Sequence, residues 1–154
     1  MKYGLAALLA SAALAACSGN VQQRELTPDL FADREELASI TRHLEPADRK
    51  YFTQYAMSRA IMMLGEPITM PNGKDPATVD DAIKLMKARE VRSAEVAKLL
   101  AERRSKMDAI VAERNRIGMS DPKAYNAHID LESSTHRHYE ARLGALKAKP
   151  LELK

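Results

Sequence analysis

His128, Glu132 and His136 stand four residues apart, so a helix through them puts all three on one face. Imidazole nitrogens and a carboxylate oxygen are zinc donors, and this spacing can bring two of them to one ion. The chain carries no HExxH motif, however, and a fourth ligand or a catalytic base would have to come from another helix. The three residues stay as candidates for a metal site. The preferred reading is a polar stripe on a half-exposed helix, with Glu132 pairing loosely with His136. His136, Arg137 and His138 are three potential cations in a row. A helix spreads them over about 200° of its circumference, which describes solvated surface better than a pH sensor. No GxSxG, no phosphate-binding glycine loop and no framed pair of catalytic carboxylates occurs, and Gly65 and Gly73 are isolated. No catalytic residue, metal or dissociable cofactor is therefore expected, and the chain reads as a non-enzyme.

The one cysteine, Cys17, carries the clearest chemistry. Lys2 leads into an apolar run from Gly4 to Leu14, and small residues then abut the cysteine, in the layout of a secretory signal peptide. The run falls short of the roughly 20 residues that a membrane-spanning helix needs, and polar residues begin at Ser18. Leu14-Ala15-Ala16-Cys17 resembles the lipobox of bacterial lipoproteins. The resemblance implies that the Cys17 thiol receives a diacylglycerol, that the chain is cut before Cys17, and that the new amino group is acylated. Each buried methylene contributes about 0.8 kcal/mol, so two or three chains on one residue anchor a protein where a single chain holds only marginally. With Cys17 alkylated, no thiol remains for a disulfide, a thiolate metal site or a nucleophile. Enterobacterial lipoproteins kept at the inner membrane carry an aspartate after the cysteine. Ser18 in that place implies, by the same resemblance, the outer membrane, and the location expected is a lipid anchor there with the domain facing the periplasm.

The elements that position these residues read as all-α. The chain has 154 residues, no Trp and two Phe, and is rich in residues that favour helix. Basic residues number 24 and acidic ones 21, and cleavage would remove Lys2. Mixed signs and an exported compartment exclude nucleic acid as a partner. Residues 1–16 are the expected signal peptide. Residues 17–27 are the lipid-attached cysteine and a flexible tether, of which ten residues reach roughly 15–20 Å. Residues 28–154 form a single helical domain. Within it, 28–77 holds two short helices and a Pro-rich loop, and 78–154 holds a long antiparallel helical hairpin.

The first helix is expected from Asp33, whose spacing to Glu36 fits a capping box, with Leu37, Ile40 and Leu44 on one face. The second runs from Pro46 to Leu64 and is expected to be the most buried. Pro67, Pro71 and Pro76 keep the next segment irregular, Pro71-Asn72-Gly73 signals a turn, and Ile68 and Met70 are placed to fold back onto the core. Thr78 caps a third helix with neither proline nor glycine before Gly118, a rod of roughly 60 Å. Glu102 and Lys106 are read as an i, i+4 pair along it. Asp121-Pro122 opens the last helix, and the short connection makes the last two helices antiparallel neighbours.

With Cys17, the helices from Asp33 to Leu64, and Asn72-Gly73-Lys74 leading to Thr78, the chain resembles a group of small uncharacterised helical lipoproteins of proteobacteria. That resemblance implies an envelope location and no activity. Arg89, Arg92, Arg103, Arg104, Lys106, Arg114 and Arg116 could meet lipid phosphates, but interspersed acidic residues favour a mixed solvated face. Met57, Met62, Met63 and Met70 could line a groove for an apolar ligand, with core packing the preferred reading. The function expected is a membrane-anchored interaction or scaffold module, docking a protein partner or a second copy through the hairpin. A small-ligand or lipid-binding lipoprotein is the alternative, and a metal-dependent enzyme at the His128 face comes last.

Overall fold

The computed structural model describes residues 20–61 and 68–154. The expected signal peptide, the lipobox with Cys17, and Met62, Met63 and Leu64 lie outside the described residues. Among those described there is no strand, and the all-α expectation holds. The helices are α1 (Pro28–Ala32), α2 (Arg34–His43), α3 (Pro46–Ile61), α4 (Val79–Ile117) and α5 (Pro122–Ala148). Helix α1 is an addition to the four expected. Its signal is Pro28 in the first turn behind Thr27, where a proline's missing N–H costs nothing.

That extra helix alters the start of the next one. Asp33 caps α2 as expected, its side chain accepting from Glu35 N and Glu36 N at 2.9 Å each. The reciprocal half of a capping box cannot form, because the Asp33 N–H already closes α1 by donating to Asp29 O and Leu30 O. The Glu36 carboxylate instead pairs with Arg24.

Arg24 belongs to the segment expected as flexible tether, and the described part of that segment is folded. Residues Val21–Gln23 form a 3-10 turn. Leu26 N then donates to Ala77 O (2.9 Å) and Val79 N to Arg24 O (3.0 Å), around an isolated bridge between Glu25 and Thr78. Gln22 Nε2 reaches the buried Asp48 carboxylate at 3.2 Å, whose other oxygen meets Lys87 Nζ at 2.6 Å. A buried carboxylate is tolerable only with such partners. No composition rule separates this stretch from a linker, because backbone pairing and one buried acid hold it.

The chain divides into two compact units, one running up to Lys87 with Leu153–Lys154, the other Ala88–Glu152. The division lies inside α4, after Lys87. The first turns of α4 belong to the first unit's core, since Val79, Ala82, Ile83 and Leu85 are at most 2% exposed. Leu30, Ile40, Leu44, Phe52, Tyr55 and Ile68 complete that core. Two particulars of the reading change here. Ile68 is buried as expected, but α3 is not wrapped in apolar contact, for Met57 is 59% exposed. The start of α4, not α3, is the most fully buried stretch among the described residues.

Thr78 caps α4 reciprocally: Asp81 N donates to Thr78 Oγ1 (3.2 Å), and Thr78 N donates to the Asp81 carboxylate (3.1 Å). The turn before it closes with Gly73 N donating to Met70 O at 2.9 Å, and Gly73 sits at φ 77°, which glycine alone adopts freely.

In the second unit α4 continues to Ile117, a 3-10 turn at Gly118–Ser120 reverses the chain, and Asp121 caps α5 by accepting from Ala124 N at 3.0 Å. Contacts stepping forward along α4 from Arg92 to Arg114 step backward along α5 from Leu146 to Glu132, so the two helices run antiparallel. Their seam is narrow. Leu99, Tyr139 and Leu143 are buried in it, with Val96 and Leu146 packed against them.

Candidate functional site

The three candidate metal ligands on α5 do not converge. The His128 ring lies 2.9 Å from its own helix's Ala124 carbonyl through Nδ1, which donates there. Glu132 forms an ion pair with Arg114 of α4. His136 Nδ1 accepts from Arg103 Nη2 at 2.6 Å, while Arg103 Nη1 holds Glu140, also at 2.6 Å. Glu132 therefore pairs across the seam and not with His136. Among the described residues no group of three or more His, Cys, Asp or Glu side chains is placed to hold a metal ion. His138 meets the neighbouring Tyr139 ring edge-on at 5.4 Å.

Of the seven basic residues read as possible phosphate contacts, Arg92, Arg103, Arg114 and Arg116 are engaged within the hairpin itself. Arg92 caps the end of α5, donating to Leu146 O (2.6 Å), Lys149 O (2.8 Å) and Pro150 O (3.1 Å). These carbonyls have no helical partner of their own, and a guanidinium there also meets the negative end of the helix dipole. Arg116 forks onto Glu113 at 2.6 and 2.8 Å.

Glu102 gives the seam its polar centre. Its carboxylate accepts from Tyr139 Oη at 2.8 Å and from Arg142 Nη1 at 3.2 Å, across to α5, and the expected partner Lys106 along its own helix adds a smaller electrostatic pull. The hydrogen bond from Tyr139, then that from Arg142, hold the Glu102 carboxyl below its ordinary value of 4.5. The same bond, foremost, raises the Tyr139 phenol above its ordinary 10.0. A carboxyl whose pKa is lower in the folded chain adds stability that is full above its unfolded value and lost as pH falls through the folded one. A phenol whose pKa is raised adds stability that is full below its unfolded value and lost as pH climbs through the folded one. The pair thus supports the hairpin between about pH 4.5 and 10. Tyr139→Phe is expected to lower the thermal midpoint across that window and to shrink the difference from wild type toward either end. Melting followed by circular dichroism checks this, and a difference independent of pH would contradict it. The signal lay in the sequence: a tyrosine on an apolar stripe needs a partner for its hydroxyl.

What the hairpin presents outward is apolar as well as charged. Val91, Leu100, Met119, Ile129 and Leu131 are 40–73% exposed, and among the described residues Met57 is the one other large hydrophobic so exposed. A shallow open groove follows the outer side of α4, with Ala97, Leu100, Ala101, Arg104, Met107 and Asp108 along it. No helix among the described residues is long and apolar enough to cross a membrane. Of the methionines read as a possible ligand groove, Met57 is exposed, Met70 half-buried, and Met62 and Met63 lie outside the described residues. Compared with known protein families, curated proteins and solved structures, the chain matches none.

Proposed function

We propose that this chain is a lipid-anchored helical protein of the bacterial cell envelope, acting as a non-catalytic interaction module through its hairpin. The observation that carries the reading is the surface of the second unit. Two helices bury one narrow seam and leave five large apolar side chains open to solvent. A contiguous exposed apolar stretch marks a contact site, and Leu100 with Ala97 and Met107 along one groove of α4 is such a stretch. The reading of Leu14-Ala15-Ala16-Cys17 as a lipobox supplies the membrane, and Ser18 points to the outer membrane, where the domain is proposed to face the periplasm. Acyl chains on Cys17 are the only attached group proposed, and the bilayer and a protein are the partners.

The test has two arms. In cells fed labelled palmitate, the wild-type chain is expected to take up label and sediment with membranes, whereas Cys17→Ser does neither. Label retained by Cys17→Ser would remove the anchor. In the second arm, a photo-crosslinking residue replaces Met119, Ile129 or Leu131 in turn, in cells at natural abundance. Discrete adducts are expected, and nothing but uncrosslinked chain from all three positions would overturn the interaction reading.

A further inference from the structure

We infer that the outer face of α4 is a self-association surface, on which a second copy of this chain docks antiparallel, α4 against α4. The inference deepens the reading of the hairpin as an interaction module and rests on it. Ala97, Leu100, Arg104, Met107 and Val111 follow one another at spacings of three and four, the period of a helix-pairing seam. The centre of the row lies about 120° round the helix from Leu99, about 180° from Glu102 and about 80° from Arg103, which face α5, so α5 reaches at most its Met107 edge. Leu100 is 44% exposed, and Met107 and Val111 are half-buried.

Charge selects the occupant and its direction. Arg104 interrupts the apolar row, and Asp108 stands one turn further along. Neither makes an ion pair or a side-chain hydrogen bond among the described residues. Asp108 is the one acidic residue of α4 in that position, because Asp80, Asp81, Glu90, Glu95, Glu102 and Glu113 all have partners. A parallel copy would set Arg104 against Arg104 and Asp108 against Asp108. An antiparallel copy, with its two-fold axis crossing α4 between residues 105 and 106, sets Arg104 of each chain beside Asp108 of the other. The same register brings Leu100 of one copy to Val111 of its mate. Such an interface is self-complementary, as a two-fold contact must be. The strip from Ala97 to Val111 is about 20 Å long, small beside a standard interface, so pairing of micromolar strength is expected. Confinement of anchored copies to one membrane would raise their effective concentration.

The experiment is sedimentation velocity on the purified full chain in mild detergent, over low to high micromolar concentrations. Wild type is expected to shift from monomer to dimer. Leu100→Glu, an exposed position that folding tolerates, is expected to stay monomeric. Arg104→Asp and Asp108→Arg each weaken pairing about tenfold, and the double exchange Arg104→Asp with Asp108→Arg restores it, since the two charges then meet in swapped places. A monomer at every concentration overturns the inference, and so do single exchanges without effect or a double exchange that fails to restore pairing. A chain that stays monomeric while Leu131 still crosslinks a different envelope protein in cells also overturns it, but leaves the interaction reading standing.

Discussion

Phe52→Ala is expected to destabilise the first unit by about 3–5 kcal/mol, the range for removing a large aromatic side chain from a closed core. Phe52 has no solvent exposure, and other core residues of the unit are similarly closed: Tyr55 at 1%, Val79 and Leu85 at 0%, Ile83 at 2%. These residues come from α3 and the first turns of α4, two elements far apart in sequence that also meet through the Asp48–Lys87 ion pair, so a cavity there weakens a long-range contact. Little can collapse into the gap. Tyr55 is already held by Phe31 edge-on at 6.0 Å, and Phe31 in turn lies under Arg59 at 5.6 Å. Total stabilities of about 5–15 kcal/mol leave a domain of this size little reserve against such a loss. Hydrogen exchange is the informative measurement. Amides of α2, α3 and residues 79–87 should lose most of their protection in Phe52→Ala. Protection unchanged in those segments would mean that Phe52 is not at the centre of the unit's core.

The helices themselves were legible from local chemistry. Asp33, Thr78 and Asp121-Pro122 each mark a start that the chain uses, and Gly118 marks a reversal at φ 57°, a conformation in which any other residue would be strained. These signals work because caps and turns are decided within four residues. What stayed hidden depends on distance. Whether residues 21–27 fold rests on Asp48 and on the backbone of residues 77–79, more than twenty positions away. Glu102 offered a neighbouring lysine on its own helix and took Tyr139 and Arg142 on the next one. Arg92, read as one more solvated cation, closes the carbonyl end of α5. In each case a polar group had two available partners, and only the packing of helices selects between them. The His128 stripe is not gathered into one cluster for the same reason. Spacing put three donors on one face, and the antiparallel seam supplied Arg103 and Arg114 to two of them.

In the second unit the largest effect is expected from Leu143→Ala, with Gly144→Ala as its counterpart. Leu143 is 7% exposed and shares the seam with Leu99 and Tyr139 alone as fully buried neighbours. Truncating a buried leucine costs about 2–5 kcal/mol, the upper part of the range applying where the surroundings cannot close over the gap. Two helices with one seam have no second layer to close it. Alanine is itself a strong helix former, so the loss cannot be assigned to helix propensity. Gly144 tests that separation from the opposite side. It lies within α5, and a Cβ there would meet nothing within 4 Å. Gly144→Ala is therefore expected to stabilise the hairpin by about 0.5–1 kcal/mol, through the backbone freedom that glycine retains when unfolded and without any new contact. Urea unfolding followed at α5 amides would read both. A lower midpoint for Leu143→Ala with a raised one for Gly144→Ala places the unit's stability in the seam. Equal, small shifts would mean that the ion pairs from Arg92 to Arg114 hold the hairpin together and that its apolar contacts are incidental. That outcome is disfavoured by the exposure of those pairs, since partly solvated ion pairs contribute about 0–1 kcal/mol each and weaken with salt.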